Sequence, residues 1–444
     1  MDFVTNYKLE DYILNTQWED LPQEIQQRAV NCAVDLFMAL IVGSHGRQHQ
    51  AGVRLAKQVC APGNIPVVAA EPQTYNLLGA TMVMGHTSNS FDIDDGHNMI
   101  KGHPGTSFVA GVLATALEQN VSYKEYLTTL VVCYEAAIRW ALAMQDHYGY
   151  LHSTGAYGAF GTAAGAGRLM KLSREKLNNA LSIADFHAPM TPVMRAVEYP
   201  SMNKDGVPQG ALMGMIAVLE TLAGSTGRTH LLEMPEYQNY LDTLGQRWEV
   251  TQLYFKPYTC CRWGHQPIQA CIDLMKEYGF TYKDVEHVTV NTFTAAARLS
   301  KIVPHTTDEA QYNIAFPVAS ALVHGDVGFL QMREEALDDQ RVLDTMKRLE
   351  FKVDPEMEVV FPTKRMAWVE IRLKDGRMLR SQVYEAPGEH TQNLSDQWFD
   401  EKFLRITAPF FYKEAQEKLL QCMRNTEQPI RTVVNEINRA LAKL

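Results

Sequence analysis

Val285-Glu-His-Val-Thr-Val-Asn-Thr-Phe293 alternates apolar with polar residues and is rich in β-branched side chains. That period of two predicts a half-buried strand. The stretch decides the fold because the chain before it has a different period. From Leu21 to about residue 250 the apolar spacing is helical. Ala29, Cys32, Ala33, Leu36 and Leu40 make one stripe behind Pro22, which suits a first helical turn, and Gly43 stops it. Ser122-x-x-Glu125 is a capping box, opening a helix predicted to run to about Met144. Leu130, Val131, Val132, Ala136, Ala137 and Ile138 make that helix apolar on most faces, so it should lie centrally. Gly155, Gly158, Gly161, Gly165 and Gly167, set among alanines, predict a helix packed very closely against its neighbours.

On the other side of the strand, Ala367–Leu373 and Met378–Tyr384 flank Asp375-Gly376, the strongest hairpin signal in the chain. A helix is predicted between them and the first strand, around Ala315 to His324, and the pattern is helical again from Pro409 to Leu444. The expected fold is therefore mainly α with a smaller α+β domain. Residues 1–268 form a large all-helical domain, 269–392 the smaller α+β domain, and 393–444 C-terminal helices returning to the helical domain. The strands should share one small antiparallel sheet.

Of the 444 residues, 46% are hydrophobic and 21% charged, enough to bury a large core and incompatible with a disordered or repeat-dominated chain. The charge balance of 41 basic against 51 acidic residues gives −10, which disfavours nucleic acid as a partner. Seven cysteines without framework spacing, two of them adjacent at Cys260 and Cys261, fit reduced thiols. Met1-Asp-Phe-Val-Thr-Asn-Tyr7 has no basic stretch leading into an apolar one, and the longest apolar run, Leu36 to Gly43, is far short of the ~20 residues of a membrane span. No membrane partner and a cytoplasmic location are expected.

Polar residues concentrate in four segments. In His86 to His103, Asp92, Asp94, Asp95, His86, His97, His103 and Lys101 fall within eighteen residues punctuated by glycines, the mark of a functional loop. A helix should start just after His103, where its dipole favours a neutral imidazole beside an anionic ligand. Tyr150 and His152 precede the glycine-rich helix, whose first amides are placed to bind a carboxylate. Lys204 lies in a loop before an apolar helix starting near Gly210. Lys256, Arg262 and His265 form a basic cluster in Tyr254 to His265, against the acidic sign of the whole chain. Cys260, Cys261 and His265 have no second pair at finger-like spacing, so zinc is not expected. G-x-x-x-x-G-K-[ST], H-E-x-x-H and G-x-S-x-G are absent, and Gly165-Ala-Gly167 lacks the third glycine of a dinucleotide fingerprint at Met170.

Together these segments resemble the MmgE/PrpD family, whose members include 2-methylcitrate dehydratase, cis-aconitate decarboxylase and iminodisuccinate epimerase. The resemblance is carried by Phe91-Asp-Ile-Asp-Asp95 with His103-Pro-Gly105, His152 before the glycine-rich helix, Lys204, Gly224-Ser-Thr-Gly227, Lys256-Pro-Tyr258 with His265, and Ala310-Gln-Tyr-Asn-Ile-Ala-Phe316. It implies a two-domain homodimer with the active site between the domains, no cofactor and no metal, and active-site positions at Asp92, His103, His152, Lys204 and Lys256. The chain departs from the dehydratase and decarboxylase members at Gly96-His97, where they tend to have threonine, and from the decarboxylase at Phe316, where it has tyrosine. The Asp-Gly-His loop, Lys101 and the Lys-Pro-Tyr to Cys-Arg stretch look more like the epimerase-type members.

The chemistry implied is removal of a proton next to a carboxylate of a small di- or tricarboxylate. Cationic groups must hold the carboxylates and spread the developing charge, for which His152, Lys204, Lys256 and Arg262 are the candidates. His103 is the candidate base, oriented by Asp92, with Lys101 or Tyr150 returning the proton. The expected reaction is epimerisation of an iminodisuccinate-like substrate. The alternatives are dehydration of the 2-methylcitrate type, cis-aconitate-type decarboxylation, and a Mg²⁺-dependent helical enzyme using Asp94, Asp95 and Asn98.

Overall fold

The computed structural model describes residues 6–443; Met1–Thr5 and Leu444, and with them most of the opening stretch read as lacking a leader, lie outside the described residues. Helices Gln23–Gly43, Leu77–Ser88, Pro104–Glu118, Tyr123–Tyr148, Gly155–Leu169 and Val207–Leu222 build the larger body. Tyr123–Tyr148 runs through its centre, with Tyr126, Tyr134 and Trp140 fully buried. Ser122 Oγ accepts the Glu125 amide at 3.1 Å, as the capping signal predicts. The helix passes Met144 and stops where Gly149 turns left-handed at φ 70°.

The glycine-rich helix Gly155–Leu169 lies against Pro104–Glu118 and Val207–Leu222 at a separation side chains would prevent. A Cβ on Gly158 would meet Ser107 Cβ at 2.7 Å, and one on Gly214 would meet the Ala159 carbonyl oxygen at 2.2 Å. Gln23–Gly43 and Tyr123–Tyr148 are long and apolar enough, by length and composition, to cross a membrane, although no single apolar run signals it. Their apolar windows are 83% and 94% buried within the chain itself, so the core accounts for that apolarity. The apolar surface of Tyr123–Tyr148 is thus satisfied internally and lends no support to a dimer.

The smaller domain holds one sheet with Val285–Thr292 inside it, as expected, but the sheet is mixed rather than antiparallel. Val285–Thr292 pairs antiparallel with Met366–Leu373 and parallel with Leu349–Val353. Helices Ala315–His324 and Gln340–Met346 lie between the two parallel strands and carry the chain back to run in the same direction. Met366–Leu373 also pairs with Met378–Arg380 through the turn at Asp375-Gly376, where Gly376 takes φ 90°. Helices Asp396–Thr407, Lys413–Arg424 and Ile430–Leu441 return to the larger body. Lys402 anchors that return by pairing with Asp35 of Gln23–Gly43 and donating to the Ile93 carbonyl at 2.9 Å, inside the polar loop.

Candidate active site

Two polar segments far apart in sequence meet through one short ladder. Asp95–His97 pairs antiparallel with Leu253–Phe255, setting Gly96 opposite Tyr254. The fit is tight: a Cβ on Gly96 would lie 2.2 Å from Tyr254 Cζ. A threonine at this position would push the Tyr254 ring aside. The ladder also delivers Lys256 to the aspartates of the loop. Its Nζ donates to Asp92 Oδ1 at 2.8 Å and to the Asp92 carbonyl at 3.0 Å, and lies 3.5 Å from Asp94 Oδ1.

His103 caps the N-terminus of Pro104–Glu118. Its Nδ1 lies 2.8 Å from the Asp95 carbonyl oxygen and 3.4 Å from Asp94 Oδ2. Both neighbours only accept, so Nδ1 carries a proton, while Nε2 makes no hydrogen bond of its own among the described residues. Nε2 faces Asp92 Oδ1 at 3.8 Å and Asp205 Oδ2 at 3.6 Å. The ring is therefore oriented by the Asp95 carbonyl, and Asp92 stands on the opposite edge, beside Nε2. The acceptors at this helix start are the protein's own: Gly105 N donates to Asp95 Oδ1 and Thr106 Oγ1 to Asp94 Oδ2.

Burial alone would raise every carboxyl here, and their partners separate them. Against that burial, the Lys256 ammonium and His103 hold Asp92 below the usual range and Asp94 down to about 2. Asp205 has no such ammonium contact, and burial together with the Asp92 charge leaves it raised despite His103. Asp95, enclosed with Tyr134, is pushed up to about 8 by burial.

A cavity of about 300 Å³ opens beside these groups, with walls from both domains. Asp92, His103 and Asp205 reach it from the helical domain, and Tyr312 of the smaller domain brings its hydroxyl to 3.4 Å from Asp205 Oδ1. Lys101, Arg262 and Arg365 supply positive charge. Arg262 is 3.2 Å from Glu389 and its guanidinium lies 4.3 Å over the Tyr254 ring. Arg365 donates to the Asn98 side chain, and Lys101 donates to the Asn98 carbonyl at 2.5 Å. Burial, followed by the charge of Arg365, brings Lys101 down to about 7. Leu151, Val193, Met194, Trp263 and Phe361 make much of the remaining wall apolar. Ionised ends and an apolar wall suit a small molecule carrying several carboxylates.

Of the residues singled out from sequence, Asp92, Lys101, His103 and Arg262 line this cavity. Lys256 does not: it is fully buried behind Asp92 and Asp94 and neutralised by them. Lys204 is also engaged, donating to Gln311 Oε1, and lines a separate cavity of about 560 Å³ with Ser153 and Arg195. Tyr150 follows the left-handed Gly149, gives its hydroxyl to the Met190 carbonyl at 3.1 Å and does not line the cavity. His152 is buried beside the Tyr148 and Tyr150 rings and is not on the cavity wall. Nor do the first amides of the glycine-rich helix wait for a carboxylate, since Gly155 N already donates to the Asp205 carbonyl at 2.8 Å.

Neither sequence-level metal set assembles. Asp95 is held by Tyr134, and Asn98 by Glu389 and Arg365, so Asp94, Asp95 and Asn98 do not converge. His265 Nε2 contacts the Cys260 carbonyl at 3.0 Å, leaving both thiols free. Asp92, Asp94 and His103 do bring one donor atom each within 4.8 Å of one another, but Lys256 already supplies the cation there. Phe316 is fully buried in the core and outside the cavity lining, so the hydroxyl from the smaller domain comes from Tyr312 instead.

Sequence reasoning missed Asp205, Tyr254, Tyr312 and Arg365. The first three stand in segments already marked, beside Lys204, opening the 254–265 cluster and inside Ala310–Phe316. Arg365 has no motif around it.

Residues 7–250 match the family model described as the MmgE/PrpD N-terminal domain, and residues 258–428 the MmgE/PrpD C-terminal domain. Among named relatives, a "Cis-aconitate decarboxylase-like protein oryM" of Aspergillus oryzae is 23% identical over 371 residues, covering 75% of this chain and 76% of the relative. A "Cis-aconitate decarboxylase" of Aspergillus terreus is 22% identical over 413 residues, covering 84% and 83%. That of Homo sapiens is 22% identical over 385 residues, covering 80% and 77%.

Proposed function

Because this chain belongs to the MmgE/PrpD family, we propose that it is a lyase acting without a cofactor on a small polycarboxylate, through a carbanion formed next to a carboxylate. The observation that carries the reading is the 2.8 Å contact of His103 Nδ1 with the Asp95 carbonyl oxygen. It leaves Nε2 as the proton-transferring atom on the cavity wall. Lys101, Arg262 and Arg365 hold the carboxylates that would otherwise oppose a carbanion. In a dehydration, Nε2 takes the proton from carbon, and the raised carboxyl of Asp205 or the Tyr312 hydroxyl protonates the leaving hydroxyl. In a decarboxylation, the electron pair of the broken C–C bond stays on carbon, and protonated His103 or Asp205 quenches it. The names of the decarboxylase relatives support this class over the epimerase expectation.

One observation favours a second reading. Lys101, held near neutrality on the same wall as His103, supplies a second proton-transferring group, which is what epimerisation requires. Proton NMR in D₂O with a panel of di- and tricarboxylates separates the two. Loss of CO₂ or water with deuterium entering the product supports the lyase. Exchange of an α-proton with inversion and no net loss overturns it in favour of the epimerase.

A further inference from the structure

We propose that Glu10, His230 and Glu233 form a binding site for a divalent transition-metal ion of the zinc class, outside the reaction cavity. Glu10 comes from helix Lys8–Asn15, while His230 precedes and Glu233 ends the turn Leu231–Glu233, more than two hundred residues later. Glu10 and His230 are 0% exposed and Glu233 4%. The donors reaching them fall short of what two buried carboxylates need. Asn178 Nδ2 donates to Glu10 Oε1 at 2.9 Å and to Glu233 Oε2 at 2.8 Å. Thr229 Oγ1 adds 3.2 Å to Glu233 Oε2, and His230 Nε2 lies 3.0 Å from Glu10 Oε1. Glu10 Oε2, Glu233 Oε1 and His230 Nδ1 remain buried with no partner at all.

The charge balance points the same way. Among the described residues, no lysine or arginine lies within ion-pair distance of either glutamate. Counting the three residues alone, two carboxylates and one imidazolium leave −1, whereas two carboxylates, a neutral imidazole and a divalent cation sum to zero; nearby Asp185 is pushed by burial toward its neutral form. Buried charge without compensation is strongly disfavoured. One donor atom from each residue falls within 4.8 Å of the other two, close enough to converge on one ion at ligand distances of about 2.0–2.2 Å. One imidazole with carboxylates suits zinc, which first-row affinities favour over manganese. Thr229 and Leu231, next to His230 in sequence, line a surface cavity of about 450 Å³ that shares no residue with the cavity beside His103. The ion would tie the Lys8–Asn15 helix to the Leu231–Glu233 turn, acting on stability and not on chemistry.

The test uses the full chain, stripped with chelator, desalted and titrated with Zn²⁺ and Co²⁺. One equivalent should bind, with a visible Co²⁺ ligand-field band and a rise in melting temperature. Glu10→Gln and Glu233→Gln should each lose that equivalent, and His103→Gln should keep it. No binding at micromolar metal overturns the proposal, as does an equivalent that survives both glutamate substitutions. Should those variants fail to fold, anomalous diffraction at the zinc edge from wild-type crystals decides. A peak among the three residues supports the site; a peak only elsewhere, or none, overturns it.

Discussion

The Lys256 ammonium lies 2.8 Å from Asp92 Oδ1, with the two side chains 0% and 2% exposed. This buried pair keeps Asp92 and Asp94 ionised next to His103, and it exists because the Asp95–His97 and Leu253–Phe255 strands meet. Lys256 is therefore engaged by the carboxylates and does not line the cavity.

Lys256→Met should strand two buried carboxylates without their cation. Losing one partner of a buried pair costs about 3–5 kcal/mol. Urea denaturation should show a loss of that size, together with a fall in turnover as the loop around His103 loosens. Unchanged stability with a raised KM would mean that the lysine faces the substrate after all.

His103→Gln keeps size and hydrogen bonding to the Asp95 carbonyl but removes the lone pair at Nε2. Turnover should fall by roughly 10²–10⁴ with little change in KM. Near-normal turnover on the true substrate would move the proton-transfer role to Asp205.

Lys101 is held down to about 7, so its charge disappears as pH rises through that value. If it binds a substrate carboxylate, KM should rise from about pH 7 upward. Arginine keeps its charge over that range. A KM profile for Lys101→Arg should be flat where the wild type climbs, and matching profiles would remove Lys101 from carboxylate binding.

Asp95 is raised to about 8 and Glu135 to about 7, in both cases mainly by burial. The folded chain binds these protons more tightly than the unfolded one. Their stabilising contribution is full below about pH 4 and is lost as pH rises through 7 and 8. Asp95→Asn removes one of these titrations while keeping a partner for Tyr134. Between about pH 5 and 8 the melting temperature of the variant should gain steadily on that of the wild type, and the difference should level off above that. A constant difference across that window would show that Asp95 does not titrate there.

The sequence by itself determined the elements whose signal is local. The Ser122 cap, the Ala315–His324 helix, the glycine turn at Gly376 and the close-packed glycine helix all follow from neighbours a few residues apart. The concentration of charge at Asp92 to His103 likewise marked the loop, because so many polar groups rarely share one segment without a site. Only the tertiary structure decided which of those groups face the cavity. Tyr150 and Lys256 were both singled out from the sequence, yet Tyr150 bonds the Met190 carbonyl and the strand pairing at Gly96–Tyr254 buries Lys256 behind the aspartates. Arg365 and Tyr312 enter from the smaller domain with little or no signal of their own. The parallel strand Leu349–Val353 was likewise settled by the crossover helices that precede it. Periodicity reports which residues want burial, whereas a long-range strand pairing or domain contact fixes what buries them, and no window of the chain contains both partners.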